Sequence, residues 1–581
     1  MSWLLKNAQA LVGVDQEIRT VDIRVNGDLI SEIGRQLISQ GEEVFNASRF
    51  FVIPGLVNAH LHPSHALSKG LTDGVSWEEG LLRLYALDRE KTNEDRYVGS
   101  LLGFSEAVLS GTTTASVLTG NIEGERRAAQ EIGIRTVLAK TYSNFWVGEG
   151  AGPKQMSIAE IEAEFRATRV TVEDGRTTVH FGISHEVGAT DELFLLARRL
   201  SEELGIRTYI HTAENREFIR KFRSVHHIHP ILYFQSIGFL GSWLTLVHAT
   251  QIRRPDVLEL LARSGAAIAH CPVSNAKLTD GFFPLRAARE RGIPVGLGTD
   301  ASLNNNTNNL MHEMFFSALM HNSLHHDPGF LTAPDVLRLA THGSAATMGM
   351  DRKIGAIVAG RKADFAFFDR ETPGMTPSVD LRSNLVFNAP DLRPQHVMIG
   401  GEWIVQDYQL KTMDLAQIMK EARERTQKIH VAFQKISADP PRLRRAYIAG
   451  SLTKLSDVEK KKFYDDVALV AKKYGFEPYV PHHVTDPVIN PDFTPEDVLE
   501  INLDQLTRAD ILISYVGEPS LGTGMEIMFA WQREMPVILL YEKNAAISRM
   551  VRAVATRSHH IAFSTPQDAL SQLGEVLSKI V

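Results

Sequence analysis

Apolar and polar positions alternate in short runs at the start of the chain: Ala10-Leu-Val, Val21-Asp-Ile-Arg-Val and Leu29-Ile-Ser-Glu-Ile, separated by Gly and Asn-Gly turns. Alternation with period two, bounded by such turns, predicts β-strands. The pattern changes at Phe50-Phe-Val-Ile-Pro-Gly-Leu-Val-Asn-Ala-His-Leu-His. From there to about Gly349, compact apolar runs alternate with longer amphipathic stretches such as Leu193–Leu204 and Pro255–Arg263. The strand candidates are Val52–Asn58, Thr113–Val117, Arg135–Ala139, Val179–Ile183, Arg207–His211, Leu244–His248, Ala266–His270 and Val295–Thr299. This repeated β/α alternation predicts an α/β fold with a (β/α)8 TIM-like barrel over 51–349. From Lys353 to Val405 short strands and turns return, as in Lys362-Ala-Asp-Phe-Ala-Phe-Phe. The two flanks, 1–50 and 350–410, are expected to pair into one small β-sandwich.

Residues 411–444 read as a helical connector: Met413–Lys435 is charged with helical periodicity, and Ala438-Asp-Pro-Pro-Arg-Leu-Arg-Arg has the composition of a linker. A second α/β pattern begins at Ala446-Tyr-Ile-Ala-Gly-Ser. It runs through helical stretches near Asp457–Tyr474 and Gly524–Arg533 and strands at Ile511–Tyr515 and Pro536–Tyr541. Residues 445–581 are therefore expected to form a C-terminal three-layer, Rossmann-like α/β domain.

A chain of 581 residues suits two or three domains, and 44% hydrophobic residues suffice for their cores. The net charge of −7 argues against an electrostatic grip on a nucleic acid polymer or an anionic membrane. No uncharged apolar run approaches the ~20 residues of a membrane helix. The opening Met1-Ser-Trp-Leu-Leu-Lys lacks the pattern of a secretion signal. Cys271 is the sole cysteine, so no disulfide forms within the chain. A cytoplasmic location is expected.

The chemistry concentrates at strand ends. His60 and His62 sit two apart on one predicted strand, so their imidazoles share a face. His211 ends Thr208-Tyr-Ile-His, His248 ends Leu244-Thr-Leu-Val-His, and Asp300 ends Val295-Gly-Leu-Gly-Thr-Asp. Barrel enzymes build their sites at these C-terminal strand ends. A lone histidine there is more often a packing residue, but joint placement on four separate strands points to a metal. Imidazole suits zinc and iron alike. His226, His227, His229, His325, His326, His559 and His560 read as solvated or packing residues, and Cys271 as a small buried hydrophobe.

These residues resemble the cytosine-deaminase-like branch of the amidohydrolase superfamily, which includes adenosylhomocysteine, guanine and triazine hydrolases. The resemblance spans about Met1–Ile404 and rests on Pro54-Gly-Leu-Val-Asn-Ala-His-Leu-His, His211-Thr-Ala-Glu, Val247-His248, His270-Cys-Pro-Val-Ser-Asn, Gly298-Thr-Asp and Ile354-Gly-Ala-Ile-Val-Ala-Gly-Arg-Lys-Ala-Asp. It implies metal ligands at His60, His62, His211 and Asp300, an acid/base role for Glu214, and contact of His248 with the attacking water. The fourth strand ends Phe181-Gly-Ile-Ser-His-Glu, without the lysine that bridges two metals in related families, so one divalent metal is expected, zinc ahead of iron. The implied reaction is hydrolytic deamination of a nucleobase, nucleoside or related N-heterocycle. Adenosylhomocysteine deaminases typically carry Pro-His-Ser-Pro-Tyr after the fourth strand. Ile183-Ser-His-Glu-Val stands here instead, with His185 displaced by one position, and a triazine-type leaving group stays open. His185, Trp77, Asn144 and Trp146 are the candidate substrate contacts.

Residues 445–581 resemble the nucleoside 2-deoxyribosyltransferase superfamily, and within it 2'-deoxynucleoside 5'-phosphate N-hydrolases. The matching motifs are Tyr447-Ile-Ala-Gly-Ser, His482-His-Val, Ala509-Asp, Pro519-Ser-Leu-Gly-Thr-Gly-Met-Glu-Ile and Ile547-Ser-Arg-Met-Val-Arg. The resemblance implies Glu526 as the carboxylate that attacks the sugar. It places Tyr447, Ser451, His483, Ser520 and Ser548 around the nucleotide. Asn502 stands where that family has an Asp, and an amide cannot act as a carboxylate acid. Two readings follow: a nucleotide N-glycosidase fused to a deaminase, or a nucleotide-binding or oligomerising module. Sites of this second family are often completed across a subunit interface, so a homo-oligomer is expected.

Overall fold

A computed structural model describes residues 2–74, 87–88, 90–145, 156–434, 444–451, 458–486, 493–554 and 558–580. Trp77 and Trp146 lie outside the described residues, as does most of the predicted linker. The chain forms two compact units, Met1–Ser437 and Ala438–Val581.

In the first unit, the alternating runs at both ends of the barrel segment join one nine-stranded sheet. Phe50–Pro54 is its seam. It runs parallel to Ser2–Val12 and antiparallel to the returning strand Phe365–Asp369. Aromatic rings fill the space beside that seam, with Phe45 4.9 Å from Trp403 and Phe50 5.0 Å from His396 between ring centroids. The helix Leu415–Gln434 belongs to this unit and buries Ile418, Ala422 and Ile429 in its main core.

The single strand expected at Val52–Asn58 is two strands. Phe50–Pro54 serves the flanking sheet, and Leu56–His62, here β1, enters the barrel. Gly55 makes the break. A Cβ there would fall 2.2 Å from the Thr113 side chain, so only glycine lets the two sheets approach. Asp364 sits across the junction: its backbone oxygen accepts from Gly55 N–H at 2.9 Å, and its carboxylate takes both arms of buried Arg135 at 3.1 Å.

The other strands of the curled parallel sheet are β2 (Thr112–Thr119), β3 (Arg135–Tyr142), β4 (Thr177–His185), β5 (Thr208–Thr212), β6 (Leu244–His248), β7 (Ala267–His270) and β8 (Val295–Leu297). β8 pairs with β7, and three residues on, Asp300–Ala301 pairs with β1. This one segment joins the sheet's two edges, an arrangement consistent with a TIM-like barrel. Between its halves lies Gly298, where a Cβ would stand 2.8 Å from the His60 nitrogen. Asp300 is thereby brought against His60.

The second unit has a five-stranded parallel sheet. Its strands are β9 (Arg444–Ala449), β10 (Phe476–Tyr479), β11 (Ile511–Tyr515), β12 (Val537–Glu542) and β13 (Ser558–Phe563), in the order β10-β9-β11-β12-β13. Parallel neighbours need crossovers, supplied among others by α1 (Val458–Lys473), α2 (Pro495–Arg508) and α3 (Leu521–Gln532). The strand order reverses between β9 and β11, which opens a crevice at their C-terminal ends, the usual place for a ligand in such sheets.

Candidate active site

Four predicted residues converge at the C-terminal rim of the curled sheet. His60, His211, His248 and Asp300 offer donor atoms that all lie within 4.8 Å of one another. All but the partly buried His211 are shut off from solvent. His62 stands at the edge of this group, its Nε2 3.6 Å from Asp300 Oδ1. His248 and Asp300 take φ of +70° and +60°, left-handed conformations uncommon away from glycine. Strain of that kind is found where a side chain must be aimed out of a strand end.

The hydrogen bonds fix which ring nitrogens face inward. His62 Nδ1 donates to Leu118 O at 2.9 Å and His211 Nδ1 to Ser184 O at 2.6 Å. Each Nε2 is therefore left as a lone pair. His60 Nε2 lies 3.2 Å from Asp300 Oδ1 and 3.3 Å from His211 Nε2, while its buried Nδ1 has no partner. Lone pairs crowded beside a carboxylate repel unless a cation lies among them, so this donor set fits one divalent metal. No thiolate is present, and the nitrogen and oxygen donors suit zinc.

Electrostatics agree with ligation. Burial drives His60 down to about 3 and His248 down to about 4, against the pull of Asp300. Burial also holds His62 low and His211 well below the ordinary histidine value. These rings are neutral at physiological pH, the state a metal binds. Burial works against ionisation of Asp300, but the hydrogen bond from His60 holds it well below the usual carboxylate range.

Glu214, just beyond β5, is buried, with Oε1 3.6 Å from His248 Nε2. His185 ends β4, buried, with its ring 4.9 Å from that of His211 and 4.6 Å from Phe218. Asn144 is engaged elsewhere, exchanging two hydrogen bonds with Thr190 at 2.9 and 3.0 Å.

Several supporting residues had no role assigned from sequence. Ser274 Oγ donates to Asp300 Oδ2 at 2.6 Å, and Asn304 Nδ2 donates to the same oxygen at 3.1 Å. Asn275 Nδ2 meets His248 Nδ1 at 3.0 Å, which leaves the His248 proton on Nε2, facing the site. Glu313, fully buried, accepts from Val273 N–H at 3.1 Å and from Asn305, tying the Ser274–Asn275 turn to the Asp300 loop. Burial pushes Glu313 up to about 8. Ser274 and Asn275 belong to the motif His270-Cys-Pro-Val-Ser-Asn, and that motif was the available signal. Cys271 within it is fully buried, and burial pushes its thiol well above the ordinary value.

In the second unit, Tyr447 Oη donates to Glu526 Oε1 at 2.6 Å. Burial pushes Glu526 up to about 7, with the tyrosine bond opposing. Tyr447 lies on β9 and Glu526 on α3, so the pair sits at the strand-order reversal. Asn502 Oδ1 accepts from Tyr479 Oη at 3.0 Å, and the Tyr479 ring lies 5.3 Å from that of Tyr447. Ser520 caps α3, accepting from Thr523 N–H at 3.3 Å. Ser451 is buried just past β9, and Ser548 precedes the short helix Arg549–Ala553. His483 turns instead to Asp465, at 2.8 Å.

The model of the amidohydrolase family matches residues 51–404. The chain is 30% identical over 432 residues to a 5'-deoxyadenosine deaminase of Methanobrevibacter smithii, covering 74% of this chain and 98% of that protein. It is 28% identical over 427 residues to a 5-methylthioadenosine/S-adenosylhomocysteine deaminase of Pyrococcus abyssi, covering 73% and 98%. A zinc-bound adenosine deaminase structure from Xanthomonas campestris superposes with a TM-score of 0.68 at 22% identity, covering 74% of this chain and 98% of that one. A zinc complex of atrazine chlorohydrolase from Arthrobacter aurescens does so with 0.68 at 21% identity, covering 73% and 100%. The chain belongs to the amidohydrolase family.

Proposed function

We propose that the first unit is a zinc-dependent hydrolytic deaminase of an adenosine-like nucleoside. The observation that carries this reading is the pairing of Glu214 with His248 at 3.6 Å beside His60, His211 and Asp300. The deaminases to which the chain is similar supply the substrate class. His60, His62, His211 and Asp300 would hold the metal, which when bound brings the pKa of water from 15.7 toward ~7.

The protein's own groups do the rest. Asp300, steadied at Oδ2 by Ser274 and Asn304, accepts the water's proton. His248 presents its Nε2 proton to the oxygen that adds to the ring carbon. Glu214 gives its proton to the adjacent ring nitrogen and takes one back from the new hydroxyl, while the proton held by Asp300 passes to the departing amine, which leaves as ammonia. His185, beside His211, would contact the nucleoside. Glu214→Gln tests this, since an amide holds no transferable proton.

For the second unit we propose a nucleotide N-glycosidase of doubly wound fold. The Tyr447–Glu526 hydrogen bond supports it by orienting a carboxylate at the strand-order reversal. Glu526 would attack the sugar carbon, with Ser451, Ser520 and Ser548 around the nucleotide. A second reading, a binding module without turnover, is favoured by one observation: Asn502, in place of an acid, is engaged by Tyr479. Base release from nucleoside monophosphates, measured on the full chain and on Glu526→Gln, separates the two.

A further inference from the structure

We propose that Asp465, His482 and His483 form a divalent-metal site in the second unit, separate from the one in the barrel. Asp465 lies on α1, and the two histidines form a single helical turn, Pro481–His483, directly after β10. Backbone bonds hold that turn: His483 N–H and Val484 N–H donate to Val480 O and Pro481 O, each at 3.0 Å. The rings stand 4.4 Å apart at 77°, so their Nε2 atoms reach one point from different directions.

That point is Asp465 Oδ1. His483 Nε2 lies 2.8 Å from it and His482 Nε2 3.1 Å. This oxygen is closed to solvent, and neither ring is aligned to give it a full hydrogen bond. Two imidazoles and a carboxylate thus converge without satisfying one another, and all three donor atoms lie within 4.8 Å. Metal bonds of ~2.0–2.2 Å set neighbouring donors of a tetrahedral site about 3.3 Å apart, close to the observed spacing. Lys461, one helical turn before Asp465 on α1, pairs with Asp486 at 2.8 Å.

Two nitrogens, one oxygen and no thiolate suit zinc, cobalt or nickel in the divalent state. The His482 ring is buried and approaches Tyr464 to 6.0 Å, whereas the His483 side chain is 54% exposed. The site is therefore anchored on one side and open on the other, with room for water or a ligand oxygen. A bound ion would also cross-link α1 to the chain after β10 and stabilise the unit by mass action. Neither enzymatic reading above is needed for it.

The test is metal counting on the full chain, stripped with a chelator and dialysed against zinc. His483→Ala and Asp465→Asn change exposed or half-exposed side chains and spare the buried His482. The wild type is expected to hold one equivalent of zinc more than either variant. With cobalt in place of zinc, a visible absorption component is expected to disappear in both. The site is refuted if both variants retain the wild-type metal count and spectrum. Failure of the barrel to bind metal would leave the difference between wild type and variants intact, so the two claims fail separately.

Discussion

Among single residues, Glu214 bears most of the proposed chemistry. Glu214→Gln is expected to lower kcat by about 10²–10⁴-fold, the range for losing one positioned acid/base, with zinc content unchanged. Loss of zinc along with activity would instead make Glu214 a structural residue. Asn275 acts one step back, by holding His248 Nδ1 as an acceptor. Asn275→Ala frees the ring to change tautomer. A fall in kcat at constant KM is expected, and an unchanged kcat would show that the tautomer is set elsewhere. The ligand candidates were legible in the sequence because each ends a strand-like run, and strand alternation puts alternate residues on one face. Ser274, Asn275 and Glu313 were not, because their roles arise only when a turn after β7 meets the loop after β8. The Asp465 cluster was hidden for the same reason, being shared between a helix and a distant turn.

Elements act through how closely they approach. Gly298 presses on the backbone of His60, with a Cβ clash at 2.8 Å. Gly298→Ala must push β1 or the Asp300 loop aside, so zinc affinity is expected to fall while the fold persists; wild-type affinity by equilibrium dialysis would count against this geometry. Asp364 joins the barrel to the flanking sheet through buried Arg135. Asp364→Ala leaves that guanidinium unpaired and is expected to cost about 3–5 kcal/mol, read from denaturant unfolding. The barrel's strand alternation was visible in the hydrophobic pattern, but two breaks were not. Gly55 divides an apparently continuous apolar run between two sheets, and Gly298-Thr299 divides the closing strand. Hydrophobic periodicity does not register a change of partner when both sides of the break are buried.

At the scale of the whole molecule, each unit carries its own candidate site, and that of the second is expected to respond to pH. Glu526 has an ordinary value of 4.5 and stands at about 7 in the folded chain. A raised carboxyl favours the folded state while protonated. Its contribution is complete below about 4.5 and is lost as pH rises through about 7. Glu526→Gln should therefore melt higher than wild type at pH 8, with that advantage gone at pH 4. Base release, if Glu526 is the nucleophile, should rise with pH through about 7 as the carboxylate forms. Both α/β patterns were readable from periodicity, and among the described residues no helix is long and apolar enough to cross a membrane. The central claim is that the barrel is a zinc-dependent deaminase of adenosine-like nucleosides. Its most direct test is mass-spectrometric turnover of such nucleosides by zinc-loaded wild type and Glu214→Gln. Conversion of the amino-purine to the oxo-purine with ammonia release, by wild type alone, is the predicted result. An unchanged nucleoside in both reactions, or equal turnover by the variant, would contradict it.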